Sequence, residues 1–306
     1  MVQTKVQAYG PASIAAAAKL ILAGHPVAVP TETVYGLAAD ATNGTAVARI
    51  YAAKGRPSFN PLIVHVRDLD HALGIARFET AALRLAGLYW PGPLTLVLPM
   101  RDEAPIASLV TAGLATVALR CPAHPAMCDL LEATGRPLAA PSANASGRIS
   151  PTRAEHVLES LGGRIPMIVD AGQTAHGLES TIVAVADGRL RVLRPGPISL
   201  GDAEAPGSII EAPGQMASHY APAKPLRLNA VEVASDEWLI GFGAIAGDRS
   251  LSRSGDCIEA AANLFASLHE ANAQDRPRIA VAPIPDEGVG IAINDRLRRA
   301  AAPRLG

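Results

Sequence analysis

The sequence predicts an α/β protein built on a mixed sheet. Helical and strand patterns alternate from residue 11 to residue 193, which is typical of helices packed on a sheet. Strand spacing is irregular, and Asp187-Gly188 is a turn signal between two apolar runs, so we expect a hairpin and therefore some antiparallel pairing. With 306 residues, of which 49% are hydrophobic, the chain can form one large or two modest domains.

The individual elements follow from periodicity and turn residues. The first helix, 11–23, is rich in alanine, and Gly24 is a typical C-terminal stop. Apolar residues at helical spacing predict further helices at 46–53, 80–88, 125–134 and 153–161. Short apolar runs predict strands at 27–29, 62–66, 94–98, 116–120, 138–140, 167–169, 181–185 and 190–193.

The composition changes after residue 196. Proline, glycine, alanine and serine dominate residues 196–225, and prolines such as Pro213 and Pro222 disfavour regular structure, so this stretch is expected to be a linker. Beyond it, buried strands are predicted at 238–242 and 278–282, and helices at 257–271 and 289–302. The predicted organisation is a first domain at 1–202, a linker at 203–226 and a small α/β domain at 227–306.

Charge and cysteine usage limit the classes of function. The net charge of −1 gives no overall basic field for nucleic acid or anionic lipid, so any cationic site must be local. Three cysteines form no C-x-x-C pair, which disfavours a zinc site and a disulfide framework. The N-terminal segment lacks a signal-peptide layout and no stretch approaches a membrane span, so a cytoplasmic location is predicted.

Lys54-Gly55-Arg56-Pro57 places two cations close together after a helical pattern. Lysine is rare in this chain, with four among 27 basic residues, which favours a specific role for Lys54. Two fixed cations suit a phosphate or carboxylate ligand. The alternative is a helix C-terminus where the cations neutralise exposed carbonyls, and Pro57 stops the helix in either case.

Residues 139–152 form the least ordinary stretch. Its small residues allow close approach of the backbone, and Ser142, Asn144 and Ser150 supply polar groups without bulk, as a loop around phosphate or ribose oxygens requires. The alternative is a turn before the helix at Arg153, with Ser150 or Thr152 as N-cap. The stretch lacks Walker A spacing, and no G-x-G-x-x-G follows a strand, so ordinary nucleotide-binding folds are disfavoured.

Further candidates lie at strand ends. Arg120 and Arg194 each close a predicted strand, where a guanidinium can fork onto a carboxylate or phosphate, although a surface salt bridge is the competing explanation. Thr31 and Thr33 follow strand 27–29 at a common ligand position, with a capped turn as an even alternative. His65 lies in an apolar strand, and by itself it is more simply explained as a core histidine.

Seven motifs occur in order along the chain: P-T-E-T-x-Y-G-L, K-x-R-P-x-x-x-P-L-x-x-H, P-G-P-x-T, V-A-x-R-x-P-x-H, P-S-A-N-x-S-G-x-x-S-P-T, L-x-S-T-I and H-Y-A-P. In this set the chain resembles the threonylcarbamoyl-AMP synthase family in its long form, and the stretch 288–300 is similar to that family's tail. The likeness covers most of residues 10–225. It implies a YrdC-like mixed twisted sheet with helices, followed by a small Rossmann-like α/β domain.

The resemblance also implies a reaction. L-Threonine, bicarbonate and ATP would give threonylcarbamoyl-AMP and pyrophosphate. The threonylcarbamoyl-AMP would supply the downstream tRNA threonylcarbamoyl-transfer machinery. In this reaction a negatively charged carbamate approaches the negatively charged phosphates of ATP. Catalysis therefore needs charge neutralisation and alignment more than a protein nucleophile. Mg²⁺ would be held mainly by the ATP phosphates and not by protein side chains. No membrane association and no stable nucleic-acid binding are expected.

The family's site residues carry over onto matching positions of this sequence. The implied threonine side comprises Thr33, His65, Arg120, Ala140 through its backbone, and Ser180. The implied ATP side comprises Arg56, Asn60, Thr116, Ser142, Ser150, Arg194 and, from the linker, Tyr220. Lys54, Arg56, Ser142 and Asn144 form the implied catalytic set. Glu32 is expected to be structural.

The segment around Tyr220 is implied to be a lid, which would exclude water from a hydrolysable adenylate. Residues 215–218 lack the basic residues often found before H-Y-A-P in the family, which puts an electrostatic contact from that part of the lid in doubt. The second domain is also short for the family.

Two rival functions remain at this level. A YrdC-like RNA-binding or ribosome-maturation factor would use the same cationic hollow for a phosphate backbone, but the near-neutral charge and scarce aromatic residues disfavour it. A carbamoyl-transfer enzyme of the hydrogenase-maturation type would carry acylphosphatase and zinc-finger regions upstream, and this chain is expected to start directly at the YrdC-like domain.

Overall fold

The computed structural model describes residues 2–201, 204, 211–216 and 218–303. Along the first 200 residues the strands are β1 (Lys5–Ala8), β2 (Val27–Pro30), β3 (Tyr35–Asp40), β4 (Ile63–His65), β5 (Leu94–Pro99), β6 (Thr116–Arg120), β7 (Leu138–Ala139), β8 (Met167–Asp170), β9 (Thr181–Ala186) and β10 (Arg189–Arg194). The helices of this part are α1 (Pro11–Leu22), α2 (Gly44–Lys54), α3 (Leu69–Leu73), α4 (Thr80–Tyr89), α5 (Ser108–Thr111), α6 (Pro125–Thr134) and α7 (Ala154–Leu161).

These strands form one sheet in the order β1-β8-β2-β3-β7-β4-β6-β5-β9-β10. The pairs β4–β6 and β5–β9 are parallel, whereas β2–β3 and β5–β6 are antiparallel, so the predicted mixed sheet is confirmed. The predicted hairpin is the antiparallel pair β9–β10. It turns at Asp187 and Gly188, both of which have positive φ, as a tight hairpin turn requires.

Local capping fixes where the first cationic motif lies. Asn43 caps α2 by accepting hydrogen bonds from the backbone amides of Thr45 and Ala46. Gly55 ends α2 in the left-handed conformation, at φ 60°, which glycine adopts without strain. Lys54 is therefore the last residue of the helix, and Arg56 begins the loop that leads to β4.

The sequence analysis missed some elements of this sheet. The strand β1 has four exposed residues, so it carries no apolar pattern. Strand β3 was not among the predicted strands. It follows a tight turn built by Thr31, whose hydroxyl donates to the Val34 carbonyl and accepts from the amides of Thr33 and Val34. The chain reverses there, and Tyr35 pairs with Pro30.

A second, smaller sheet follows. Its strands are β11 (Leu226–Arg227), β12 (Glu237–Gly241), β13 (Arg249–Ser250) and β14 (Arg278–Val281), in the order β11-β14-β12-β13, and its helices are α8 (Cys257–Ala273) and α9 (Val289–Ala301). Every pair in this sheet is parallel. The longer strands and both helices match the predicted elements, which confirms the small α/β unit, whereas two-residue β11 and β13 were too short to show a pattern.

We call residues 2–201, which contain the ten-stranded sheet, the first unit, and residues 226–303, which contain the four-stranded sheet with α8 and α9, the second unit. The apolar core of the second unit continues into the first, because it includes Val34, Ile149 and Leu178, together with Tyr220 from between the units. At this contact Gly177 faces the backbone of α8 so closely that it leaves no room for a side chain. The two units are therefore packed directly against each other.

The predicted linker, 203–226, lies partly outside the described residues. Of its described residues, Glu204 forms an isolated bridge with Arg191, and Leu226 begins β11. The domain boundaries at 202 and 226 stay a prediction.

Candidate active site

Side chains from distant parts of the chain line one cleft beside the ends of β4 and β6. Nine of the fourteen predicted site residues line it: Thr33, Arg56, His65, Arg120, Ala140, Ser142, Ser180, Arg194 and Tyr220. They meet because β4 and β6 are parallel neighbours in which His65 is opposite Arg120, while β7 pairs with β4 and leads to Ala140. A larger pocket, in the second unit between residues 243 and 263, contains none of the predicted site residues.

The other five predicted residues do not line the cleft. Lys54, Asn60, Asn144 and Ser150 are buried behind its wall. Thr116 starts β6, whereas Arg120 ends it, so the two lie about 13 Å apart along the strand. The structure thus brings Thr116 to the other end of the strand from the cleft.

Arg120 is held by a buried carboxylate. Its guanidinium donates to Glu32 Oε1 at 2.6 Å, to Thr33 Oγ1 at 2.9 Å and to the Gly92 carbonyl at 3.3 Å. Burial would raise the pKa of Glu32, but the charge and hydrogen bond of Arg120 outweigh burial and hold that pKa below its usual value. Glu32 is therefore an ionised partner that fixes the orientation of Arg120.

His65 faces the cleft as a neutral ring. Burial, and then the positive charge of Arg120, lower its pKa to about 3. Both ring nitrogens are buried and have no hydrogen-bond partner within the described ranges. A buried imidazole is normally hydrogen-bonded, so this ring is suited to a polar ligand group and differs from the core histidine that its strand context favours.

Lys54 braces the loop after β7. Its ammonium donates to the carbonyls of Ser142 and Asn144, both at 2.5 Å. Burial and the nearby charge of Arg56 lower the pKa of Lys54 well below its usual value. Asn144 continues the brace by donating to the carbonyls of Ala145 and Arg148. The loop that carries Ser142 into the cleft is thus held by two hydrogen bonds from a buried lysine.

Two further guanidinium groups face the cleft. Arg56 donates to the carbonyls of Asn60 and Pro61, and burial lowers its pKa to about 10. Arg194 donates to the Ser180 carbonyl at 2.9 Å and to its hydroxyl at 3.1 Å, and burial lowers its pKa too. Lowered arginine pKa values at a shared cleft indicate cations that lack enough anionic partners, which favours an anionic ligand.

We call residues 211–216 and 218–221 the covering segment, because four of them line the cleft. Pro213, Gly214, His219 and Tyr220 line it, and Tyr220 is 1% exposed. Gly214 packs so closely against Arg194 and the Tyr220 hydroxyl that a Cβ there would lie 2.8 Å from each. The amide of Ala221 donates to the Gly147 carbonyl, which ties this segment to the loop after β7.

Unpartnered polar atoms concentrate at this place. Within the described part of the chain, six of the nine buried polar side-chain atoms without a partner belong to Asn60, His65, Asn144, His219 and Tyr220. Buried polar groups are normally paired, so a cluster of exceptions indicates a ligand site.

Sequence reasoning missed two residues here. Glu179 lines the cleft, yet it is the variable position in the motif L-x-S-T-I. Its carboxylate accepts from Ser150 Oγ at 2.5 Å and from Arg296 Nε at 2.8 Å. Arg296 lies in the family-like tail at 288–300, which was a signal, but nothing in the sequence placed that tail beside the cleft.

Neither a metal cage nor a membrane helix is found in the described part of the chain. No group of three or more His, Cys, Asp or Glu side chains there could hold a metal ion. No helix there has both the length and the apolar character needed to cross a bilayer. Glu179, which lines the cleft, and Glu32, which holds Arg120, are each engaged by an arginine.

The fold and the cleft together define an α/β protein in which three arginine side chains meet uncharged polar groups in one cleft. Two family models match the chain. The model described as "Telomere recombination" matches residues 19–196, and the model described as "Threonylcarbamoyl-AMP synthase, C-terminal domain" matches residues 178–302.

Curated relatives and a solved structure agree with these models. Threonylcarbamoyl-AMP synthase of Bacillus subtilis is 41% identical over an alignment of 327 positions, gaps included. The alignment covers 95% of this chain and 94% of that protein. The Pyrococcus abyssi protein of the same name is 37% identical, with 94% of each chain covered. The crystal structure of P. abyssi Sua5 complexed with L-threonine has a TM-score of 0.88 at 35% identity and covers 98% of this chain and 97% of that chain. The chain belongs to the threonylcarbamoyl-AMP synthase family of enzymes.

Proposed function

We propose that this protein is an L-threonylcarbamoyladenylate synthase, a nucleotidyltransferase that converts L-threonine, bicarbonate and ATP to threonylcarbamoyl-AMP and pyrophosphate. The observation that carries the proposal is the meeting of residues implied to bind threonine and residues implied to bind ATP in one cleft. The product would supply the tRNA threonylcarbamoyl-transfer machinery. The unpaired cysteine pattern supports a cytoplasmic location for the proposed enzyme.

In the threonine half of the proposed site, Arg120 receives the substrate carboxylate. Its charge is already shared with Glu32, so it offers a fixed fork and not a mobile cation. The neutral ring of His65 is suited to the threonine hydroxyl, because it has both a donor and an acceptor nitrogen. Thr33, Ser180 and the backbone of Ala140 complete this half. The P. abyssi relative crystallised with L-threonine supports this assignment.

In the nucleotide half, Arg56 and Arg194 neutralise the phosphates, and Ser142 contacts them from the loop that Lys54 and Asn144 brace. Asn60, Thr116, Ser150 and Tyr220 complete the proposed ATP set. Thr116 would have to reach the nucleotide from the far end of β6. Mg²⁺ would arrive with ATP on the phosphate oxygens, where it adds to charge neutralisation, because both acids near the cleft are taken by arginines.

The proposed chemistry needs alignment and charge neutralisation. The threonine amine forms a C–N bond to the bicarbonate carbon and water leaves, giving a carbamate. A carbamate oxygen then forms a bond to the α-phosphorus of ATP, and pyrophosphate leaves. Arg56 and Arg194 oppose the repulsion between carbamate and triphosphate, and the covering segment keeps water away from the adenylate.

The test is pyrophosphate release from ATP. Release should require both threonine and bicarbonate, and Arg56→Ala or Ser142→Ala should abolish it. Arg67→Ala is a matched control, because the Arg67 side chain is 53% exposed and bonds the surface acids Asp68 and Glu132. Equal release without threonine would refute the proposal. Salt-dependent RNA binding in the absence of ATP, without threonine-dependent release, would favour the RNA-binding alternative.

A further inference from the structure

A buried guanidinium of the second unit reaches the cleft of the first. Arg296 in α9 is 0% exposed and is the largest of the fully buried side chains described. Its guanidinium donates to Glu179 Oε2 at 2.8 Å, to Asp295 Oδ2 at 2.7 Å and to the Pro195 carbonyl at 3.0 Å. Its central carbon lies 5.3 Å from the centre of the Tyr220 ring, within the range of a cation–π contact.

Three of these contacts, those to Glu179, to the Pro195 carbonyl and to Tyr220, end at the proposed nucleotide half. Glu179 accepts from the hydroxyl of Ser150, the Pro195 carbonyl directly follows Arg194, and Tyr220 covers the cleft. The hydrogen bonds of Arg296 among the described residues do not include the threonine-half residues. Arg296 is therefore placed to affect ATP more than threonine.

The charge balance makes Arg296 essential to Glu179. Glu179 is buried, and burial alone would raise its pKa, but the charges of Arg296 and Arg194 outweigh burial and lower that pKa. If Arg296 is removed, an acid that lines the cleft loses its hydrogen-bonded cation. A buried charge without its partner is strongly unfavourable, so the carboxylate would move or take up a proton, and Ser150 would lose its fixed acceptor.

The same helix also holds the covering segment. Asp295 accepts from both Arg296 and Arg299, and Arg299 donates to the Met216 carbonyl at 2.6 Å. The Arg299 carbonyl in turn accepts from the His219 amide at 3.2 Å. A guanidinium from α9 thus bonds the backbone at Met216, within the sequence 215–218 that has no basic residue of its own.

We propose that Arg296 is a positioning residue for the nucleotide half of the reaction, acting through Glu179 on Ser150 and through Tyr220 on the covering segment. The proposal rests on the proposed function for its kinetic consequences. Its structural consequence, an ordered segment 218–221, does not depend on the substrate.

The experiment compares Arg296→Met, Glu179→Gln, the double variant and the matched control Arg298→Met. Arg298 lies on the same helix, but its side chain is 60% exposed. Its ion pair to Asp286 is long at 3.9 Å. Arg296→Met should lower kcat/KM for ATP by at least about tenfold, because a buried ion pair is broken, while threonine KM stays within about twofold. The double variant should be more active than Arg296→Met, because no unpaired acid remains. Arg298→Met should match the wild type.

Hydrogen exchange of the backbone amides of residues 218–221 gives a second measurement that needs no turnover. Exchange should be faster in Arg296→Met than in the wild type and in Arg298→Met. The proposal is overturned if Arg296→Met leaves kcat/KM for ATP unchanged, if it weakens threonine and ATP equally, as general unfolding would, or if the double variant is no better. If the wild type shows no threonine-dependent pyrophosphate release, the proposed function fails, and the exchange rates still decide the role of Arg296.

Discussion

The substitution Gly177→Ala tests how closely the two units must pack. Gly177 has φ +66°, and a Cβ at this position would lie 2.5 Å from the backbone oxygens of both Ala261 and Ala262 in α8. Ordinary contact begins at 3.4 Å, so the second unit would have to move away by about 0.9 Å. Since Glu179 is two residues further on, this movement would stretch its bond to Arg296, which is 2.8 Å long.

Gly172→Ala is the matched control. Gly172 has φ +78°, but a Cβ there meets nothing within 4 Å, so it reports backbone strain alone. That strain should lower the free energy of unfolding by about 1 kcal/mol. Gly177→Ala adds an overpacked contact, for a total loss of about 3 kcal/mol, and it should slow pyrophosphate release at least about tenfold.

The assay combines urea unfolding, followed by the fluorescence of the tryptophans, with pyrophosphate release at saturating substrates. Gly172→Ala should keep the wild-type rate. If the two variants lose the same stability and release pyrophosphate at the same rate, the close backbone contact at Gly177 does not hold the units in their functional arrangement.

Three further predictions follow from buried ionisable groups. Lys54→Met removes two charge-assisted hydrogen bonds to the loop after β7, so the free energy of unfolding should fall by about 3 kcal/mol and pyrophosphate release by at least about 100-fold. Glu32→Gln removes the charged partner of Arg120, so unfolding free energy should fall by about 3 kcal/mol and calorimetry should show weaker threonine binding. His156 and His269 stack across the two units, and burial lowers their pKa values to about 3 and about 4. The unfolded chain therefore binds more protons below about pH 6.5, stability should fall as pH falls from there toward 4, and His269→Gln should reduce that fall in urea titrations at pH 7.5 and 5.

Matched surface variants provide the controls for the first two of these. Lys19→Met and Glu155→Gln change exposed residues and should leave stability and rate unchanged. Unchanged activity in Lys54→Met would contradict the bracing role, and unchanged threonine affinity in Glu32→Gln would separate that carboxylate from the function of Arg120. A pH dependence of His269→Gln equal to that of the wild type would show that the stacked pair does not titrate as inferred.

Local patterns predicted the sheet well where a strand carries its own apolar signal. β4, β6 and β9 are buried along most of their length, so each appears in the sequence as a run of mainly apolar residues. Strand β1 is fully exposed, and β3 begins only because Thr31 closes a turn, so neither has a periodic signal. A hydrophobic pattern reports which residues are buried, and it does not report single side-chain hydrogen bonds such as those of Thr31.

The candidate site was predicted mainly through the resemblance. From residue types alone, Arg120 could belong either to a ligand site or to a surface salt bridge. In the structure it lines the cleft and also forms a salt bridge, which is buried and made to Glu32. Glu179 and Arg296 were missed because their roles follow from the ion pair between them. The two residues are 117 positions apart, so no single segment of sequence shows that they pair.

The separation of Glu179 from its cation has a consequence for synthesis of the chain on the ribosome. At about 5–20 residues per second, the 117 residues between them take roughly 6–23 s to translate. Throughout that interval the nascent first unit carries an acid whose hydrogen-bonded arginine has not yet been made. The cleft can therefore mature only after translation has passed α9, however early the large sheet begins to fold.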